Sequence, residues 1–413
     1  MMRVPATVEL SAGDVPHTAD IVVVGAGLAG LASAFYASRA GLGRVVLVEA
    51  GDRVAGLTSH AAAAGFRLEW DAPENIAMVR SSIETFKHFD EVIGIRGYSV
   101  GMKLPGYLFL SSPTGQARRE ANLGSRVSWW RDHGLQDVEL LNGDEARRRW
   151  PFVNGAVEAA HYRQDEGYLN VADVARGYVL GGQFRTFLNA VADSITITGG
   201  RVSGVRLANG ASIATGAVVV AAGPFSADLV ATTGTSIDIR NRRRHALILN
   251  APPSLVDPSW PVVLDSDLGL YWRPRTEGRT TTGIYIGWER ALTWDQQPGP
   301  PADPVPADPR YLAAVKEEGH RLNTIWAGLD FGNVIWRTGQ YTAPGNDDGR
   351  PMIGTHPQVA GLYINTAYEG RGVMASPGGA ETLVQIIKGS AADADPFSVD
   401  MAKRQAKPDL MVL

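Results

Sequence analysis

The chain has 413 residues, a formal net charge of −4 and no cysteine. Its length suffices for two or three domains around a buried cofactor site. The lack of cysteine excludes disulfides, thiolate nucleophiles, iron–sulfur clusters and a flavin attached through sulfur. The slightly acidic balance gives no field that would collect nucleic acid, and the apolar stretches are too short to cross a membrane. We therefore expect a globular protein that binds neither nucleic acid nor a membrane and has no metal site.

Residues 1–20 lack the continuous apolar core of a secretory signal peptide. We interpret them as a loose leader that precedes the first strand. The protein is accordingly expected to be cytoplasmic.

The first regular elements form a strand–turn–helix–strand unit. Ile21–Val24 is a continuous β-branched run, as expected for a parallel strand buried on both faces. From Leu28 the apolar residues recur at helical spacing, and Gly41 is the expected stop of this helix. Val45–Val48 repeats the strand pattern. This order is typical of dinucleotide-binding folds.

The turn between that strand and helix has the sequence GAGLAG. Gly25 permits the tight turn, Gly27 lets the backbone approach a pyrophosphate, and Gly30 allows the helix to pack closely on the strand. Glu49 follows the second strand and can accept hydrogen bonds from a ribose 2′-hydroxyl, which favours a dinucleotide without a 2′-phosphate. The predicted dinucleotide contacts here are Gly25, Ala26, Gly27, Leu28, Ala29, Gly30, Glu49 and Ala50.

Three later segments have small residues that would allow close approach to a cofactor. Thr58–Gly65 (TSHAAAAG) combines alanines with two hydroxyls, and Val218–Pro224 (VVVAAGP) ends a predicted strand in a small-residue turn. Glu369–Met374 (EGRGVM) places an arginine between glycines at a helix N-terminus, which would stabilise negative charge on a reduced flavin. The predicted contacts are Thr58, Ser59, Ala222, Gly223, Gly370, Arg371, Gly372, Val373 and Met374.

Two stretches, 97–149 and 241–334, interleave aromatic with polar residues and are predicted to form antiparallel sheet. Short apolar strands return between these two stretches. The run Arg242–Arg244 is interpreted as a solvated strand edge and not as an anion site.

The order of all these segments resembles the D-amino-acid oxidase superfamily, in particular glycine oxidase, sarcosine oxidase and dimethylglycine dehydrogenase. The resemblance covers nearly the whole chain and rests on the order of the motifs more than on any one of them. The motifs are GAGLAG at 25–30, TSHAAAAG at 58–65, GYLFL at 106–110, DEGYLN at 165–170, GRVSGVRLANG at 200–210, VVVAAGP at 218–224, YWRP at 271–274, DDGRPMIG at 347–354 and GLYINTAYEGRG at 361–372.

The resemblance implies an α/β fold with a Rossmann-like FAD-binding domain built on a parallel sheet. A mixed, mostly antiparallel substrate-binding sheet domain would be interleaved with it. The predicted ranges are 1–20 for the leader, 21–96, 150–240 and 335–413 for the FAD-binding domain, and 97–149 and 241–334 for the substrate-binding domain.

The resemblance also implies oxidation of an amine or amino acid, of the secondary or N-methyl amine type or the D- or imino-acid type. Hydride would pass from the carbon next to nitrogen to flavin N5, giving an imine, and O2 or another acceptor would reoxidise the flavin. By position, Val191 would present its backbone to the adenine and Arg371 would lie beside the isoalloxazine. Tyr271 and Arg273 would face the flavin from the substrate sheet.

One departure from the family concerns the substrate. Relatives that grip a carboxylate commonly place arginine just after the glycine where this chain reads Gly339, Gln340 and Tyr341. Arg273 is an alternative carboxylate anchor, and an ordinary ion pair at a strand edge is an equally open interpretation. We expect Tyr271, Tyr341 and Arg273 to orient the substrate. No strong general base is needed if the hydrogen leaves the carbon next to nitrogen as a hydride.

A second departure concerns the electron acceptor. Sarcosine oxidases carry a lysine that helps oxygen react, and this chain has no lysine between Lys103 and Lys316. Either another cation such as Arg371 serves oxygen, or electrons pass to a different acceptor.

His60 corresponds to a histidine that dimethylglycine dehydrogenase-like relatives bond to the flavin, although HAAAAG here replaces the tighter HAAG. We expect His60 to lie close to the isoalloxazine and FAD to be bound noncovalently. A covalent link through His60 is the alternative.

Other functions stay open beside amine oxidation. An FAD-dependent 2-hydroxy acid dehydrogenase can share the fold, and a flavin-binding assembly factor without turnover is an alternative of another class. An aromatic hydroxylase is disfavoured, because TAYEGRG at 366–372 lacks the GD pair of that class.

Overall fold

The computed structural model describes residues 15–113, 120–278, 280–288, 299–390 and 395–404. Residues 1–14 of the predicted leader lie outside that part of the chain. The strands are β1 (Ile21–Val24), β2 (Val45–Val48), β3 (Gly65–Phe66), β4 (Tyr107–Ser111), β5 (Glu139–Asn142), β6 (Ala159–Arg163), β7 (Gly167–Tyr168), β8 (Phe184–Phe187), β9 (Ala192–Thr198), β10 (Arg201–Leu207), β11 (Ser212–Ala214), β12 (Val218–Val220), β13 (Ile239–Leu249), β14 (Val262–Asp265), β15 (Leu270–Glu277), β16 (Thr280–Trp288), β17 (Val334–Pro344), β18 (Met352–Thr355) and β19 (Leu362–Thr366). The α-helices are α1 (Leu28–Arg39), α2 (Thr58–Ala61), α3 (Pro73–Lys87), α4 (Phe89–Ile93), α5 (Glu120–Asp132), α6 (Gly143–Arg149), α7 (Val171–Gly181), α8 (Ser226–Ala231), α9 (Pro309–Glu318) and α10 (Gly372–Ile387).

A six-stranded sheet forms the first half of the fold, in the order β18-β19-β12-β1-β2-β8. Its strands are parallel except for β18, which is antiparallel to β19. All residues of β1, β2 and β12 are buried, as their continuous apolar sequences require. Helices α1 and α10 pack on one face of this sheet, and the small sheet β9–β11 packs on the other.

The GAGLAG turn packs too tightly for side chains at two of its positions. Gly25 has a φ of +101°, and a Cβ there would lie 2.6 Å from the carbonyl oxygen of Ala221. A Cβ on Gly30 would lie 1.9 Å from the carbonyl oxygen of Gly25. The turn therefore holds the N-terminus of α1 directly against the end of β1.

An eight-stranded sheet forms the second half, in the order β17-β13-β16-β15-β14-β4-β6-β5. Neighbouring strands are antiparallel except β14 and β4, which are parallel. One face of this sheet packs on α9 and the segments around it in a separate apolar core. The predicted fold class, a parallel Rossmann-like sheet combined with a mixed, mostly antiparallel sheet, is confirmed.

The boundaries given above for the two domains stay a prediction. The eight-stranded sheet takes strands from 97–149 and 241–334, but also includes β6 and β17 from the ranges assigned to the other domain. β17 contributes because its whole length pairs with β13.

The described ranges contain no helix that is both long and apolar enough to cross a membrane. Within the same ranges, no group of three or more acidic or histidine side chains is placed to hold a metal ion.

Candidate active site

A cavity of about 670 Å³ opens at the carboxyl ends of β1, β2, β12 and β19. This edge of a parallel sheet is where doubly wound folds bind nucleotides. Most residues predicted to contact the cofactor line it: Gly25, Gly27, Leu28, Ala29, Glu49, Ala50, Thr58, Ser59, Val191, Ala222, Gly223 and Gly372. Seven others do not line it: Ala26, Gly30, His60, Gly370, Arg371, Val373 and Met374.

The Glu49 carboxylate organises the glycine-rich end of this cavity. Its Oε2 accepts a hydrogen bond from the backbone N–H of Ala26 at 2.6 Å, and its Oε1 accepts one from Gly51 at 2.7 Å. Each carboxylate oxygen accepts more than one hydrogen bond, so both keep capacity for ribose hydroxyls.

Ser59, a residue of α2, also lines this cavity and lies beside the first residue of α1. Its Oγ accepts a hydrogen bond of 3.2 Å from the backbone N–H of Leu28, the first residue of the helix. Helix N-termini attract phosphate groups, and the Ser59 hydroxyl oxygen occupies the acceptor position there. The α2 segment is thereby tied to the glycine-rich turn.

Arg371 is 1% exposed and has unsatisfied hydrogen-bond donors. None of its three guanidinium nitrogens donates a hydrogen bond within the described residues. Its nearest carboxylate is Glu369, at 3.9 Å, and its guanidinium stands 5.0 Å from the ring of Trp70. Buried donors are nearly always satisfied in proteins, so this guanidinium indicates a binding site for an acceptor or an anion.

One face of the eight-stranded sheet turns a row of polar and aromatic side chains towards α2. Register places Tyr271 opposite Gly287, Arg337 opposite Ala246 and Arg244 opposite Gly339, all on this face. A second, small cavity lies between this face and Thr58 and Ala61. The other side chains around it include Tyr271, Tyr285, Trp288, Tyr341, Arg244 and Arg337.

One of these tyrosines, Tyr285, binds the last residue of α2. The Tyr285 hydroxyl donates to the carbonyl oxygen of Ala61 at 2.5 Å, and it also hydrogen-bonds with Tyr271. Burial is the main cause that raises the pKa of Tyr285 far above its ordinary value, followed by Tyr341. Tyr285 is therefore a hydrogen-bond donor at physiological pH and not a base.

Arg273, predicted as a carboxylate anchor, lies on the same face but does not line the small cavity. Its Nε donates to the carbonyl oxygen of Ala63 at 2.7 Å, and its Nη1 donates to Pro274 at 3.0 Å. The guanidinium also stacks 4.3 Å from the ring of Tyr168. Within the described residues it makes no ion pair, so its contacts hold the backbone after α2.

His60 has an exposed side chain and lines neither cavity. Its pKa is lowered, first by partial burial and then by the positive charges of Arg337 and Arg53. The imidazole is therefore predominantly neutral at pH 7. Its predicted proximity to the isoalloxazine stays a prediction.

Sequence reasoning missed a buried polar cluster around Glu69 and Glu166. Glu69 and Glu166 are both fully buried, and Glu166 Oε1 accepts from the Leu68 N–H at 2.6 Å and from Arg163 Nη1 at 3.1 Å. Burial and the neighbouring Glu69 carboxyl raise the pKa of Glu166 well above its ordinary value. The alternation of charged with large apolar residues in FRLEW at 66–70 was the available signal.

Arg244 and Arg337 were missed for a different reason. Arg244 was interpreted as part of a solvated strand edge, but the structure places it beside the small cavity. That placement depends on pairing between β13 and β17, which are far apart in the sequence. A single strand sequence does not reveal which of its faces meets another domain.

The nucleotide-binding edge of one sheet and the aromatic face of another define a dinucleotide-dependent enzyme. A family model described as FAD dependent oxidoreductase, DAO, matches residues 20–386. The chain therefore belongs to the DAO family and is an FAD-dependent oxidoreductase, which confirms the resemblance.

Relatives and solved structures agree with this assignment. The FAD-dependent oxidoreductase domain-containing protein 1 of Xenopus laevis is 24% identical, covering 91% of this chain and 80% of that protein. A glycine oxidase of Geobacillus kaustophilus is 23% identical over 93% of this chain and 97% of the relative. The crystal structure of L-proline dehydrogenase from P. horikoshii has a TM-score of 0.81 at 20% identity, covering 95% of this chain and 100% of that chain. That structural likeness establishes the fold.

The residues present fit FAD. Gly25 has no room for a side chain, which keeps the backbone accessible beside the phosphate-binding helix end. Glu49 keeps acceptor capacity for ribose hydroxyls within the cavity, and Arg371, next to Gly372 in the cavity wall, offers unsatisfied buried donors.

Proposed function

We propose that the protein oxidises an amine or amino acid at the carbon next to nitrogen, giving an imine. The observation that carries this proposal is that Thr58 lines both the large cavity and the small one beside the aromatic sheet face. A substrate held by the sheet would therefore lie next to a cofactor held by the turn. Bound FAD supplies the electron acceptor, taking up a hydride at N5.

We propose that Glu49 binds the ribose, that the turn from Gly25 to Gly30 binds the pyrophosphate, and that Val191 contacts the adenine. The position of Glu49, Gly27 and Val191 around one cavity supports these roles. The Arg371 guanidinium would donate to the flavin and stabilise negative charge that develops on reduction.

The side chains around the small cavity are suited to orienting the substrate more than to abstracting a proton from it. Among the described residues around this cavity there is no carboxylate, Tyr285 stays protonated, and the Nε2 of His245, which also lines it, is engaged with the Pro306 carbonyl oxygen. The substrate amine is therefore expected to bind in its neutral form. We propose that Tyr271 and Tyr341 orient it while the aromatic walls exclude water. Arg273 would act as a positioning residue through the Ala63 carbonyl oxygen.

Anaerobic reduction of the flavin tests the proposed function. The purified holoenzyme is mixed without oxygen with primary, secondary and N-methyl amines, with D- and L-amino acids, and with 2-hydroxy acids. We expect bleaching of the oxidised flavin absorbance by a nitrogen compound. Bleaching by a 2-hydroxy acid alone would assign the alternative dehydrogenase reaction, and a flavin that no compound bleaches would favour the assembly factor. Admitting air, or an artificial dye, then identifies the electron acceptor.

We propose that FAD is bound noncovalently, since the His60 side chain is exposed and does not line the cavity. Acid precipitation of the holoenzyme should leave the yellow colour in the supernatant. A yellow pellet in the wild type that turns white in His60→Ala would establish the covalent alternative.

A further inference from the structure

Arg244 and Arg337 belong to neighbouring antiparallel strands. Arg244 lies opposite Gly339, and Arg337 lies opposite Ala246, so the two arginines are diagonal neighbours on one face. Side chains in this relation are within reach of each other across a sheet pair. Both line the small cavity, together with the ring of Tyr341.

Within the described residues, Arg244 and Arg337 have no carboxylate partner, unlike Arg240 and Arg242 of β13. Arg240 and Arg242 both pair with Asp347, at 3.1 and 2.7 Å. Arg337 makes no hydrogen bond or ion pair within the described residues. Arg244 donates only to the carbonyl oxygen of Arg243, at 2.9 Å, while its buried Nε has no partner there.

Two positive charges in one partly buried cavity are unfavourable unless an anion joins them. The described residues around this cavity supply no acidic side chain. The positive charge of Arg337 also contributes to the lowered pKa of His60. The cavity has a volume of only about 10 Å³, enough for one water-sized group such as a carboxylate oxygen, and its positive charge favours a ligand that brings negative charge of its own.

We propose that the substrate is an acidic amine with two carboxylates, a dicarboxylic amino acid or an N-carboxyalkyl amino acid, bound by Arg244 and Arg337. This inference rests on the proposed function. When the reacting nitrogen is neutral, such a compound carries two negative charges, which match the two guanidinium groups. Guanidinium groups bind carboxylates through paired hydrogen bonds, so the arginines also fix the orientation of the chain.

A binding experiment tests the charge preference without turnover. Succinate and glutarate, and butyrate as the matched monocarboxylate, are titrated into the oxidised holoenzyme while the flavin absorbance spectrum is followed. We expect the dicarboxylates to bind about 10- to 100-fold more tightly, as for one further charge-assisted hydrogen-bonded group. Equal affinity of butyrate would overturn the inference.

A kinetic experiment compares substrates with and without a second carboxylate. Glutamate is compared with glutamine, aspartate with asparagine, and iminodiacetate with N-methylglycine, by the rate of anaerobic flavin reduction. We expect the acidic member of a reactive pair to be faster in kcat/KM by about tenfold or more. If amides or neutral amines react as well as the acids, the inference fails while the proposed function stands. If no nitrogen compound reduces the flavin, the proposed function fails as well.

The variant Arg337→Gln should lower kcat/KM for the acidic substrate by a larger factor than kcat/KM for its amide. Arg337→Lys keeps the charge and should retain part of the preference. Arg242→Gln is the matched control, because Arg242 is on the same strand and face but pairs with Asp347 outside the cavity. An equal loss for acid and amide in Arg337→Gln would contradict the charge argument, and the wild-type comparison stands even if a variant folds poorly.

Discussion

The Arg371 side chain illustrates how a binding residue is maintained at the expense of stability. Its guanidinium is buried among the described residues without a hydrogen bond, which is unfavourable in the protein without cofactor. The same unsatisfied donors are available to a bound flavin. Such sites commonly raise affinity and lower the stability of the empty protein together.

Replacing Arg371 should therefore change the affinity for FAD and the stability of the apoprotein in opposite directions. In Arg371→Met we expect FAD to bind about 10- to 100-fold more weakly, since a charge-assisted hydrogen-bonded group is lost. The apoprotein should unfold at a higher temperature than wild-type apoprotein. FAD titration and calorimetry of the apoprotein measure the two effects. Arg371→Lys, which keeps the charge, should bind FAD better than the methionine variant, and a less stable Arg371→Met apoprotein would contradict the explanation.

Glu166 gives a residue-scale prediction about pH. Its pKa is raised in the folded protein, so the folded state binds the proton more tightly than the unfolded state, whose glutamate titrates at about 4.3. The resulting stabilisation is present at low pH and is lost as pH rises through the folded pKa.

In Glu166→Gln this loss should disappear. The glutamine oxygen can still accept from Leu68 and Arg163, and its amide can donate to Glu69. The free energy of unfolding, measured with urea from about pH 4.3 upwards, should fall less steeply than in the wild type. Parallel pH profiles of the two proteins would show that Glu166 does not hold the proton. The charged groups that face Glu166 are Arg163, Arg67 and Glu69, and the Tyr107 hydroxyl lies close to them.

At the scale of elements, the strand–turn–helix unit was predictable because its determinants are local. The apolar run at β1, the glycines and the helical spacing of α1 are all consecutive in sequence. The substrate face was less predictable, since Arg337 meets Arg244 only through the register of β13 and β17. Arg273 was expected at the substrate, but its hydrogen bond to the Ala63 carbonyl oxygen depends on how two separate sheets pack.

The turn offers an element-scale test with a matched control. Gly30→Ala places a methyl group 1.9 Å from the Gly25 carbonyl oxygen, so the turn must shift and FAD binding should be lost. Overpacking of this kind should destabilise the protein by roughly 1–3 kcal/mol. Gly124→Ala, also in a helix but with no atom within 4 Å, should instead stabilise it by about 1 kcal/mol. Urea unfolding and FAD fluorescence quenching measure both variants, and normal FAD affinity in Gly30→Ala would refute the packing argument.

At the scale of the whole molecule, the two large sheets are joined directly by the turn between β17 and β18. Asp348 in this turn forms a buried double hydrogen bond with Arg404, at 2.7 Å from both Nε and Nη2. Arg404 Nη2 also donates to the Arg350 carbonyl oxygen at 2.8 Å. A residue near the C-terminus thus fixes the connection between the two halves.

Breaking this pair should destabilise the molecule as a whole. Arg404→Met leaves the buried Asp348 carboxylate without its ion pair, with hydrogen bonds from only Asn346 Nδ2 and the Arg350 N–H, and the expected loss is about 3–5 kcal/mol in the free energy of unfolding. The double variant Asp348→Asn with Arg404→Met removes that charge and should recover part of the loss. Thermal unfolding of the apoproteins measures this, and a double variant less stable than Arg404→Met would exclude the charge explanation.

The short helix α2 has a wider consequence. Its hydroxyl residue Ser59 is tied to the first N–H of α1, its carbonyl oxygen at Ala61 is tied to Tyr285, and Thr58 belongs to the walls of both cavities. A molecule that orders this helix from one side reduces the entropy that a second molecule must remove from the other. Cofactor and substrate should then strengthen each other's binding. An acidic ligand should slow the dissociation of FAD through α2, and FAD should raise the affinity for that ligand through the same helix.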